Sequence, residues 1–280
     1  MGNQDRIFSE IQGAELSGDD LLLAEACLKA GKLFLERNIH PEAIHYLRKA
    51  AELFADKGKP IQQAQSLNQL SVCLVFTNQA EIALLELAAA KKCLAGIDHP
   101  TLSAAIEGNI GLAYSELEDY RNAAKHHKIV HEAALAISDQ SLALNALINL
   151  ADCNFQDNKY QPALGFALVA LDLAKSLESQ SSLVIIYDLL GMISSRQGDL
   201  KTALDYHQQS LDLARGLGDL LRQGTALANQ ALAREGLLDL DLACRLMTEA
   251  QEIFILLNSD YQEKTRKDLS RIQQRLADGG

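Results

Sequence analysis

Apolar residues recur along nearly the whole chain with the spacing of a helix face. Between residues 182 and 197, Leu183, Ile186, Leu190 and Ile193 follow one another at three- and four-residue intervals. Gly198-Asp199 breaks the rhythm, and residues 200–217 resume it with Ala203, Leu204, Leu211, Leu213 and Ala214. The pattern predicts two helices joined by a tight turn. Glycine tolerates the left-handed backbone that ends a helix, and an aspartate after it can cap the next one.

The same pair of helices returns along the sequence. Ala43, Ala83, Ala123, Ala163, Ala203 and Ala243 lie 40 residues apart without a slip. Twelve residues before each stands a small residue: Gly31, Ser71, Gly111, Ala151, Gly191 or Ala231. Seven residues after each stands Ala50, Ala90, Val130, Ala170, Ser210 or Ala250. Three small-residue columns in register mark places where helices cross closely, because a larger side chain would hold them apart. Asn38, Asn78 and Asn158 occupy the position of Gly198 in other units, so this column reads as the stop of the first helix. Asp119 and Asp199 read as caps of the second.

These residues carry a family resemblance. Gly111, Tyr114, Tyr120 and Ala123, like Gly191, Leu200, Ala203 and Leu211, resemble the tetratricopeptide repeat. The usual unit is about 34 residues; here it is longer, similar to the long-repeat subfamily of spindle-orientation scaffolds, kinesin light chains and bacterial peptide-sensing regulators. The resemblance covers residues 24–263 as six units: 24–63, 64–103, 104–143, 144–183, 184–223 and 224–263. It departs from the pattern at Leu238, where a turn is due, at Arg234, where an aromatic is common, and in lacking tryptophan and the usual proline near each unit's end. The fold it implies is all-α: a right-handed α-α superhelix, the tetratricopeptide solenoid, of six helix-turn-helix repeats. Residues 1–23 form a lead-in or capping helix that uses Ile7, Phe8 and Ile11. Residues 260–280 form a C-terminal capping helix and tail, with Tyr261, Leu269, Ile272 and Leu276 on one face and Lys264, Arg266, Lys267, Arg271 and Arg275 on the other.

The resemblance also implies a concave groove lined by the second, fifth, sixth, ninth and twelfth positions of each first helix, counted from Ala24, Ala64, Ala104, Leu144, Val184 and Gly224. The sixth positions are Lys29, Gln69, Asn109, Asn149, Leu189 and Asn229. Amides recur on this line, and an amide pairs with the backbone of an extended peptide. Family members use an asparagine ladder in this way, which implies Asn109, Asn149 and Asn229 as peptide-binding residues, with Asn68 and Gln69 beside them. The competing arrangement has these amides bonded to the neighbouring repeat. Val72, Val75, Leu112, Phe155, Met192 and Leu232 fill the ninth and twelfth positions and form either an apolar groove or part of the core. Asp152, Asp188, Glu116 and Glu235 add acid to this face, and Lys29, Lys32 and Arg196 add base. The groove suits a protein or peptide segment that is apolar with some basic residues. A clamp for a C-terminal carboxylate needs lysine at a fifth position with asparagine at a ninth, and Leu28, Asn68, Gly108, Ile148, Asp188 and Ala228 offer no such pair.

Composition narrows the function. Hydrophobic residues make 48% of the 280 and aromatics only 5%, which fits helices packed through alanine and glycine. The net charge of −11 is spread evenly, without the basic stripe of a nucleic-acid or anionic-membrane surface. No apolar run is long enough to span a membrane, and residues 1–20 lack a signal-peptide apolar region. Arg6 stands where a myristoylation signal needs serine or threonine. Cys27, Cys73, Cys93, Cys153 and Cys244 are odd in number and form no C-x-x-C, which fits buried thiols in a reducing, cytoplasmic setting. His127 and His131 have metal-binding helical spacing but lack the glutamate of a zinc-protease motif, and His207 shares the column of His127, which favours packing. There is no phosphate loop, dinucleotide fingerprint or nucleophile elbow. The expectation is a non-enzymatic scaffold or adaptor without a cofactor, with a regulatory sensor or a scaffold self-assembling through its ends as alternatives.

Overall fold

The computed structural model describes residues 3–278, and among them there are only helices and turns. The chain falls into two compact units, residues 1–146 and 147–280. Unit 1 holds α1 (Asn3–Ser17), α2 (Asp20–Glu36), α3 (His40–Asp56), α4 (Pro60–Phe76), α5 (Ala80–Cys93), α6 (Pro100–Glu116) and α7 (Tyr120–Ala136). The helix α8 (Gln140–Gln156) gives its first turns to unit 1 and the rest to unit 2. Unit 2 continues with α9 (Tyr160–Ser176), α10 (Gln180–Arg196), α11 (Leu200–Leu217), α12 (Leu220–Gly236), α13 (Leu240–Leu256) and α14 (Tyr261–Asp278). From α1 to α7, and from α9 to α14, each helix packs on the next in sequence. First helices also touch one another, α2 on α4, α4 on α6 and α10 on α12. Each unit is therefore a stack of helical hairpins.

The turns explain the regularity. Asn38, Asn78, Glu118, Asn158, Gly198 and Leu238 all have positive φ and end first helices. Gly18, Gly58, Ser138, Glu178, Gly218 and Asn258 do the same before the first helices and before α14. The left-handed residue thus recurs every twenty residues, with one slip at Gly96, where α5 ends early. Leu238, which departs from the repeat pattern in sequence, takes the same conformation as its column (φ 64°). The next residue caps the following helix: Asp119, Asp199 and Asp219 accept the N–H groups of Asn122, Thr202 and Arg222 at 3.2, 3.1 and 3.0 Å. First helices start at Asp20, Pro60, Pro100, Gln140, Gln180 and Leu220, one turn before the unit starts read from the small-residue columns. The columns mark crossings, and the caps mark the ends.

All six alanines of the Ala43 column have no exposed surface. Across from the Gly31 column sits a larger side chain. A Cβ added to Gly31 would lie 2.4 Å from Leu47 Cγ, and one added to Gly111 or Gly191 would lie 2.6 or 2.4 Å from the Cε1 of His127 or His207. These glycines are holes for the knobs sixteen residues on. At the ends, α1 buries Ile7, Ile11 and Ala14, and α14 buries Ile272. Buried Glu235 of α12 holds α14 by accepting from Arg271 (3.1 and 2.7 Å) and Arg275 (2.7 Å).

Candidate functional site: the first-helix faces

The first helices leave a recess in each unit. In unit 1, Val72, Val75, Phe76, Asn109, Leu112 and Glu116 of α4 and α6 line a hollow of about 280 Å³. Phe76 and Leu112 remain 69% and 44% exposed, side by side in the hollow. His40 stacks on Phe76 at 5.5 Å between ring centroids. In unit 2, Asp188 and Met192 of α10, Leu221, Thr225, Asn229 and Leu232 of α12, and Tyr261, Lys264 and Asp268 of α14 surround a recess of about 400 Å³. Tyr261 rests on Phe254 at 5.2 Å.

The structure sorts the residues singled out in the sequence. Asn109, Leu112, Met192 and Asn229 line the recesses. Gln69 and Asn149 are half-buried on the first-helix faces, Val72, Val75 and Leu232 are half-buried, and Arg196 is exposed. Three of the expected groove residues lie deeper: Asn68, Phe155 and Asp188 are buried. Each is covered by its own neighbours: Asn68 bonds to Asn109, Asp188 to Asn229 and His207, and Phe155 packs against Tyr160 of the second helix at 5.9 Å with the Arg196 guanidinium 6.0 Å over its ring. Glu235 is also buried, taken up by α14.

Two of the amides, one in each unit, bond to the neighbouring repeat. Asn109 Nδ2 donates to Asn68 Oδ1 at 2.9 Å, and Asn229 Nδ2 donates to Asp188 Oδ1 at 2.8 Å. Both pairs are 41 residues apart, so the bond repeats with the fold. His207 Nδ1 lies 3.1 Å from the same Asp188 oxygen. Half-buried Asp152 bonds to Gln156 Nε2 at 3.2 Å, and burial raises its carboxyl above the usual range despite that bond.

Other titratable side chains are held by burial and by neighbours. Burial, with His126 beside it, pushes His127 down to about 4, so its ring is neutral and packs over Gly111. Glu107 is raised by burial, but its bonds to Lys91 (2.5 Å) and His126 (2.6 Å) outweigh that and hold it below the usual carboxylate range. Burial pushes the Cys27 and Cys73 thiols up to about 11. Among the described residues, no three His, Cys, Asp or Glu side chains are grouped to hold a metal ion, and no helix is long and apolar enough to cross a membrane.

Sequence reasoning did not single out Phe76. Its column reads Glu36, Phe76, Glu116, Gln156, Arg196 and Gly236, and a lone aromatic among polar residues was the available signal. Thr225 is a second position counted from Gly224, whereas the contribution of Lys264 to the recess came only from placing α14 beside it.

Stacked helical hairpins with a lined first-helix face define an all-α helical-repeat protein. Comparison with known proteins makes this more specific. Tetratricopeptide repeat models match residues 102–176 and 186–221. These two stretches are tetratricopeptide-type repeats, and the stacked hairpins on either side share their fold. No curated protein matches the chain in sequence. Several solved structures share the fold. The quorum sensor NprR from B. thuringiensis, in its apo form, is 18% identical with a TM-score of 0.71, over 96% of this chain and 74% of that one. BtubC (BKLC) from P. vanneervenii is 17% identical with a TM-score of 0.64, over 80% and 92%. The Rap conjugation gene regulator of the plasmid pLS20, solved in complex with the Phr* peptide, is 14% identical with a TM-score of 0.60, over 93% and 76%.

Proposed function

We propose that this protein is a non-enzymatic, cytoplasmic interaction module that binds a peptide or protein segment on its first-helix faces. The observation that carries this is the apolar lining left uncovered beside amides: Val72, Phe76 and Leu112 with Asn109 in unit 1, and Met192 and Leu232 with Asn229 in unit 2. Apolar side chains of a partner fill the hollows, and the outward amide groups meet its backbone. Asp152 and Glu116 favour basic residues in that partner. The likeness in fold to a regulator solved with a peptide supports the same reading.

The test places a charge in each hollow. Leu112→Glu with Met192→Glu is made in the full chain, and proteins captured from a lysate are compared with those of wild type by mass spectrometry. The expected result is loss of the wild-type partners with an unchanged helical spectrum. Capture of the same partners in the same amounts would sink the groove assignment. These two side chains are better probes than Asn109 and Asn229, whose removal also breaks a hydrogen bond between repeats.

A further inference from the structure

We infer that Asp188 is a positioning residue that fixes the orientation of the Asn229 amide, and so the direction in which an extended segment lies in the recess of unit 2. This rests on the peptide-binding reading of that recess. Asp188 stands at the floor of the recess with only 5% of its surface exposed, and its outward-lying partner Asn229 is the more accessible of the two. Its Oδ1 receives Asn229 Nδ2 at 2.8 Å and His207 Nδ1 at 3.1 Å. A carboxylate only accepts, so both nitrogens donate, and the Asn229 nitrogen points inward toward Asp188.

An asparagine amide has two N–H groups and one oxygen. With one N–H spent on Asp188, half-buried Asn229 keeps an oxygen and one N–H for the recess it lines. Their order is set, because flipping the amide would aim its oxygen at the carboxylate. An extended residue offers its N–H and C=O on one edge, in an order that reverses with chain direction. A fixed amide therefore matches one direction. His207, itself buried over Gly191, braces the carboxylate from the second helix. Unit 1 provides the contrast. There Asn68 takes the place of Asp188, and an amide can meet Asn109 in either sense.

Two measurements on the full chain test this. In the free protein labelled with nitrogen-15 at asparagine, one side-chain N–H of Asn229 exchanges slowly with solvent. In Asp188→Leu its exchange rises about ten-fold or more, as expected for the loss of a hydrogen bond to a charged group. His207→Leu, which copies Leu47 and Leu87 of the same column, gives a smaller rise and guards against misfolding of the first variant. Equal exchange in all three proteins overturns the inference. The second measurement uses a peptide selected on the wild-type chain from a displayed random library, spin-labelled at its N-terminus. On wild type the label broadens resonances at one end of the recess; on Asp188→Asn it broadens both ends. Broadening of both ends on wild type, or of one end on Asp188→Asn, overturns the directional claim. The exchange measurement needs no ligand, so failure of peptide binding and failure of the amide lock are read separately.

Discussion

At the scale of residues, holes and knobs explain the columns. Gly31, Gly111 and Gly191 face Leu47, His127 and His207, whereas Ala151 shares its unit with the small Ala167. At the three glycines the missing Cβ makes the room that the larger side chain fills. Because His127 fills such a hole and its Nδ1 has no hydrogen-bond partner, it stays neutral, with its pKa at about 4 against an ordinary 6.5. The unfolded chain then binds more protons than the folded one between those values. Stability is complete above about pH 6.5 and is lost as pH falls toward 4, by roughly 3 kcal/mol at most. Urea melts at pH 7 and pH 4.5 should show this loss. His127→Leu, the residue type at positions 47 and 87, should reduce it; an undiminished loss would place the titrating group elsewhere.

At the scale of elements, the left-handed turn residue times the helices. Leucine is a poor choice there, since a left-handed backbone costs a residue with a branched side chain about 1–2 kcal/mol. Leu238 is 71% exposed, so it recovers little of this by burial. Leu238→Asn, copying Asn38, Asn78 and Asn158, should stabilise the protein by about 0.5–1 kcal/mol in chemical denaturation. The last element depends on one carboxylate. The Arg271 and Arg275 bonds hold Glu235 below the usual carboxylate range, with the Arg271 bond the stronger influence. Glu235→Gln should loosen α14 by about 1–2 kcal/mol. Hydrogen exchange should rise in residues 261–278 while the second helices stay protected. Unchanged exchange in α14 would mean that Ile272 alone secures it.

At the scale of the molecule, α1 and α14 bear on whether the chain assembles. Each turns its apolar stripe inward, and their other faces carry Arg6, Gln12 and Glu15 in α1 and Lys264, Arg266 and Lys267 in α14. A polar outer face keeps a terminal repeat from stacking on other chains, and we propose that α1 and α14 act as such caps. Light scattering should return the mass of one chain across concentrations. A mass that climbs with concentration would instead support assembly through the ends.

The sequence by itself determined the repeat. Its period, its small-residue crossings, the αL stop at Asn38, Asn78, Asn158 and Gly198, and the caps at Asp119 and Asp199 are local features, written in the backbone preferences of single residues. It also placed Asn109 and Leu112, and Met192 and Asn229, on first-helix faces that line a recess in the structure, because helical spacing alone does so. Only the tertiary structure decided how deep each side chain lies and what it meets. Asn68, Phe155 and Asp188 share that face by spacing, yet the side chains that stacking brings over them bury them. The partner of each amide stands 41 residues away, and the chemistry of that partner, amide or carboxylate, acts only once the repeats are stacked.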